Sequence, residues 1–175
     1  MKMLNGFMAV VLAAMSTASL AAAPTLEATQ SITIKASPDK VWAAVKDFDG
    51  LGTWHPAVAK DVIVAGKNNE VGAERLLTLG DGGTIREKLL AWDAKDRSFR
   101  YSILEGVLPV SDYTSTLSVK EAAGGQSTVT WSGTFKRKDT GDAPAANAND
   151  ETATTTMNGV YKGGLDNLKL KLEAK

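Results

Sequence analysis

The chain reads as an α+β domain in which an antiparallel β-sheet of about seven strands wraps around a long C-terminal α-helix, with short helices after the first strand. Three observations predict this. Six stretches between Val58 and Lys136 alternate apolar and polar residues, and Gly, Asn or Asp clusters separate most of them, as antiparallel hairpins require. A short amphipathic pattern follows the first strand, and from Glu151 onward apolar residues recur at intervals of three and four.

In chain order, Met1 to Ala23 carries Lys2, an uncharged run from Phe7 to Leu20 and a small-residue end, the pattern of a secretory signal peptide. A membrane anchor would need roughly 20 apolar residues and a basic flank after them, and this run has neither. Ser19 and Ala21 place cleavage near residues 21–23. The mature chain, 24–175, is then expected to be periplasmic or secreted, without a membrane span, and of a size for one domain.

Thr29 to Ala36 alternates as a half-buried strand. Ser37 is an N-cap, Pro38 suits the first helical position, and Val41, Trp42, Val45 and Phe48 form one apolar stripe until Gly50 and Gly52 end the regularity. Trp54 and the chain's only histidine, His55, follow in a loop and read as an exposed aromatic cluster. Strands are expected over Val58 to Ala65, Glu74 to Leu79, Thr84 to Trp92, Ser98 to Leu104, Asp112 to Val119 and Ser127 to Lys136. Gly80 to Gly83 is a hairpin turn and no phosphate cradle, because a strand follows it. Arg137 to Asp150 is small, polar and aperiodic, a flexible surface loop. The final helix carries Met157, Val160, Tyr161, Leu165, Leu168 and Leu172, with Gly163 and Gly164 allowing a close approach to the sheet or a bend.

Parity shows what the sheet presents to that helix. The odd-numbered residues Leu77, Ile85, Leu89, Phe99, Leu117, Val129 and Phe135 share a face with Arg75, Glu87, Tyr101, Tyr113, Ser115 and Trp131. Keeping these sets together needs a three-residue turn at Gly80 to Gly82, which pairs Leu77 with Ile85 and Arg75 with Glu87. Polar groups converging on an apolar concavity suggest a ligand site. The large aromatics serve equally well as core residues with bonded polar ends, and Arg75 with Glu87 as a structural ion pair.

The segments PDKVWAAVKDFDGLGTWHPAV, GAERLLTLGDGGTIREKLLAWD, YSILEGVLPVSDYTSTLSV and TVTWSGTF resemble the SRPBCC (START/Bet v 1-like) superfamily in its polyketide cyclase/dehydrase-like branch. The resemblance covers nearly all of the mature chain and implies a helix-grip fold with a cavity. Within that branch the chain is similar to MxaD-type periplasmic proteins associated with methanol dehydrogenase.

With 20 basic and 20 acidic residues the chain has no basic stripe, and nucleic acid is not an expected partner. The absence of cysteine excludes disulfides and thiolate chemistry, and one histidine cannot build a usual zinc site. No metal or cofactor is expected. The leading expectation is a noncatalytic module that encloses a small apolar or amphipathic molecule under the C-terminal helix. Its ligand-facing set is Trp54, His55, Arg75, Glu87, Tyr101, Tyr113, Trp131, Met157 and Tyr161. An enzyme would be a cyclase or dehydratase using His55, Glu87 and Tyr113 as acid–base groups, with Arg75 polarising a carbonyl. The MxaD-type similarity implies a third possibility, an accessory protein contacting a periplasmic partner through the Trp54 loop and residues 137–150.

Overall fold

The computed structural model describes residues 23–174; the expected leader and its cleavage point lie outside the described residues. Strand β1 (Leu26–Ile34) leads to helix α1 (Pro38–Val45), a 3₁₀ turn (Phe48–Thr53), and strands β2 (Val58–Ala65), β3 (Glu74–Leu79), β4 (Thr84–Asp93), β5 (Ser98–Gly106), β6 (Val110–Ala122) and β7 (Gln126–Arg137). Helix α2 (Asp150–Glu173) closes the chain. The seven strands form one antiparallel sheet in the order β1-β7-β6-β5-β4-β3-β2, so β2 to β7 are a meander and β1 adds to its far edge.

Local chemistry sets the element ends. The Ser37 hydroxyl accepts from the Lys40 amide and Pro38 opens α1, as the N-cap pattern predicts. The helix stops at Val45, and Phe48 enters the core from the following 3₁₀ turn. Asn149 caps α2 by accepting from the Thr152 amide. The loop before it is tied down by Arg137, which donates to the Asp139 and Gly141 carbonyls and to the Asp150 carboxylate.

The β3–β4 turn has the expected register: Leu77 pairs with Ile85 and Arg75 with Glu87, with Gly82 at φ +89°. The odd-numbered face of β3 to β7 is buried, and the even-numbered residues Ala28 and Ile34 of β1 join it because β1 pairs even against odd with β7. Gln30 reaches α2 from the same face, donating to Asn158.

The sheet opens along one seam. Pairing of β5 with β6 stops at Ser102–Thr114, while β5 runs on to Gly106 against β4 and β6 begins at Val110 against β7. A groove of about 690 Å³ lies in this seam. A bulge at Asp112, with φ +49°, lets both Val110 and Tyr113 face inward despite their opposite parity.

Candidate functional site

The site grows from the Arg75–Glu87 pair. Arg75 Nε and Nη2 both bond Glu87 Oε2, at 2.7 and 2.6 Å. Its Nη1 donates to the Phe48 carbonyl and lies 3.3 Å from Asp61 Oδ2. The guanidinium stacks 4.3 Å from the Phe48 ring centroid and 5.4 Å from that of Tyr101. Burial works against the Arg75 charge, and Glu87 and Asp61 together more than restore it. Burial also pushes the Glu87 carboxyl up, while Arg75 pulls it back. Asp61 makes the longer contact to the cation and is pushed by burial up to about 6, whereas Glu87 has two short bonds to it.

A second network crosses from sheet to helix. The Trp131 indole donates to Tyr101 Oη at 3.0 Å, Tyr101 and Tyr113 hydroxyls lie 3.2 Å apart, and Tyr113 and Tyr161 hydroxyls 2.7 Å apart. Tyr161 donates to Ser115 Oγ, which donates to the Ser132 carbonyl. Burial raises all three phenols above their ordinary value, Tyr161 to about 12. Gly133 makes room for the Tyr161 hydroxyl, since a Cβ there would collide with it.

Trp54 and His55, expected to be exposed, are buried at 3% and 5% exposure. The cause is Gly164: a Cβ at that position would fall 2.5 Å from His55 Cδ2 and 3.0 Å from Trp131, so its hydrogen lets α2 settle onto the loop. His55 Nδ1 accepts from the Ala57 amide and Nε2 meets the Val160 carbonyl at 3.0 Å, which places the proton on Nε2. Burial holds His55 below its ordinary 6.5, partly offset by that carbonyl. Its ring stands edge-on to Trp131, which stacks on Tyr161 with centroids 4.7 Å apart.

Between the sheet and α2 lies an apolar cavity of about 70 Å³. His55, Glu87, Tyr101, Tyr113, Trp131 and Met157 line it, as expected from their shared face. Three of the expected residues do not. Arg75 stands behind Glu87, Tyr161 touches the wall through the Tyr113 hydroxyl, and Trp54 packs behind Trp131 with centroids 5.6 Å apart. Leu108 and Val160 also line the cavity, outside the expected ligand-facing set, and Asp61, which that set did not include, joins Arg75 from β2. Leu108, Ile103 and Tyr113 also line the seam groove, so they form the partition between the two spaces. Among the described residues, no cluster of three potential metal ligands occurs and no helix is long and apolar enough to cross a membrane.

The profile of a family described as "Polyketide cyclase / dehydrase and lipid transport" matches residues 25–173. The protein XoxI from Bacillus cereus has a similar structure, with a TM-score of 0.74 and 33% identity over 85% of this chain and 96% of that one. An uncharacterised Bacillus thuringiensis protein gives a TM-score of 0.73 at 32% identity over 84% of this chain and 98% of that one. MLP-like protein 423 from Arabidopsis thaliana is 29% identical over 116 residues, 61% of this chain and 73% of that protein.

Proposed function

Because the chain belongs to the polyketide cyclase / dehydrase and lipid transport family, we propose that it is a noncatalytic module that holds a small apolar or amphipathic molecule between its sheet and α2. The observation that carries this reading is an apolar cavity in which His55 and Tyr113 are fully engaged and Glu87 is tied to Arg75 through one oxygen. Both nitrogens of His55 are bonded, Glu87 is held by Arg75, and Tyr113 sits between two other phenols. A general acid or base needs a proton within reach of substrate and a pKa near the working pH, which burial denies to Tyr113. Arg75 is shielded by Glu87 and has no approach to a bound carbonyl.

Size argues the same way. Pockets for drug-sized ligands run to about 300–1,000 Å³, and a cavity of about 70 Å³ admits at most a single-ring molecule, with α2 yielding slightly to receive it. A fused-ring polyketide exceeds it. Export to the periplasm, supported by the leader pattern of residues 1–23, would place the ligand in that compartment.

Bromobenzene, an apolar heavy-atom quencher, tests the reading. We expect saturable quenching of tryptophan emission that is lost in Trp131→Phe and kept in Trp54→Phe. Linear, unsaturable quenching that ignores Trp131 would sink the proposal. Native mass spectrometry of periplasmic material then identifies any copurified molecule.

Contact with a periplasmic protein partner is a second reading. Burial of Trp54 withdraws its indole from any such surface. The reading is supported instead by Leu104 and Val107, which are 48% and 55% exposed beside the seam where two strand edges lack a mutual partner.

A further inference from the structure

The hydrogen bonds around the inner cavity have a forced direction. Ser115 Oγ donates to the Ser132 carbonyl at 2.8 Å, and a carbonyl only accepts. Tyr161 must therefore donate to Ser115, Tyr113 to Tyr161, and Tyr101 to Tyr113. The Trp131 N–H is spent on Tyr101 and the His55 Nε2–H on the Val160 carbonyl. Each side-chain donor on the cavity wall is thus consumed inside the protein.

One acceptor is left over. Arg75 places both of its bonds to Glu87 on Oε2, in contrast to the two-oxygen fork that guanidinium and carboxylate often adopt. Glu87 Oε1 has no hydrogen-bond partner among the described residues, although the residue is 4% exposed and lines the cavity. Oε1 is open to the cavity space and is not sealed in the protein; a ligand that fills the cavity without a donor strips this oxygen of any partner, which is costly, and a ligand that brings a donor avoids that cost. A ligand that brings a carbonyl sets lone pair against lone pair.

We infer that the cavity selects hydrogen-bond donors: its ligand is a small apolar body carrying a hydroxyl or amine directed at Glu87 Oε1, and carbonyl compounds of the same shape are rejected. The inference rests on the ligand-binding reading and narrows it to a chemical class. It also opposes polyketide cyclisation, in which developing oxyanions need donors that this wall lacks.

Phenol, benzaldehyde and toluene separate the possibilities, because they share a ring and differ in offering a donor, an acceptor or neither. Their dissociation constants can be read from the Met157 methyl resonance, since Met157 lines the cavity and is 1% exposed. Phenol is expected to bind at least tenfold more tightly than benzaldehyde. Glu87→Gln, whose amide keeps an oxygen for Arg75 and turns N–H toward the cavity, should reverse that order. Equal binding in the wild type overturns the inference, and tighter binding of benzaldehyde overturns it and puts a proton on Oε1. An unchanged order in a folded Glu87→Gln overturns it too, and if that variant does not fold, the wild-type order decides alone. Failure of all three probes removes the ligand-binding reading itself, whereas toluene binding without a phenol preference removes only the donor assignment.

Discussion

Replacing Arg75 by Met should be among the most damaging single changes in the sheet. Arg75 is 2% exposed and neutralises two buried carboxylates, and removing one partner of a buried ion pair costs about 3–5 kcal/mol. The change also removes the donor to the Phe48 carbonyl and the stacking on Phe48. Asp61 softens the loss, because its carboxyl is already pushed up to about 6 and takes a proton readily. We expect a destabilisation of about 4 kcal/mol. Glu87→Gln keeps an oxygen for the guanidinium and leaves Asp61 to balance it, so about 2 kcal/mol is expected. The double variant leaves neither a guanidinium without Glu87 nor a Glu87 carboxylate without its cation, and should cost about 4 kcal/mol instead of the about 6 that independent effects would give. Urea unfolding at pH 7.5, followed by tryptophan emission, measures all three. Additivity within about 0.5 kcal/mol would refute the coupling, and unchanged stability in both single variants would place these side chains in solvent.

Asp61→Asn should stabilise the protein by about 1–3 kcal/mol at pH 7.5, with the gain vanishing near pH 4. The folded state holds the Asp61 proton between the ordinary 3.8 and about 6, so the wild type loses stability as pH rises through that window. His55 works the other way, since its lowered folded pKa means that the unfolded chain takes the proton first as pH falls below 6.5; the difference between variant and wild type isolates Asp61, and a difference independent of pH would contradict the assignment. Gly164→Ala drives a methyl into His55 and should cost about 1–3 kcal/mol. Gly163→Ala, with nothing within 4 Å of the added atom, should gain about 0.5–1 kcal/mol of helix propensity; equal effects at the two positions would mean that α2 does not rest on the loop. Tyr161→Phe leaves the Tyr113 hydroxyl without its acceptor and should lower stability by about 1–3 kcal/mol in the same urea assay; an unchanged midpoint would show that the hydroxyl network contributes nothing.

Strand alternation and turn chemistry made most of the fold legible. β2 and β3 have the expected bounds, the other meander strands run one to three residues further at one or both ends, and the Arg75–Glu87 register followed from keeping apolar sets on one face. Contacts between distant segments were not legible. The burial of Trp54 and His55 depends on Gly164, over a hundred residues later, whose missing side chain carries no local signal of what it touches. Asp61 lies on a strand of mostly exposed or half-buried residues, so its approach to Arg75 has no trace in periodicity. Pairing of β5 with β6 stops beside a bulge at Asp112 in the β6–β7 ladder, and bulges interrupt the alternation from which strand pairing is read.

The hydroxyl network leaves β7 at the Trp131 side chain and returns to it at the Ser132 carbonyl, one residue on, so it closes into a circuit. Tyr161 is the member that belongs to α2. The phenolic protons of Tyr101 and Tyr113 are 2% and 3% exposed with their residues, and Tyr161 is fully covered. Water reaches them when the helix lifts, and a lift that breaks the circuit at Tyr161 frees the others in the same event. The three hydroxyl protons therefore act as one reporter: their exchange with solvent is expected to rise and fall together with the opening of the chamber.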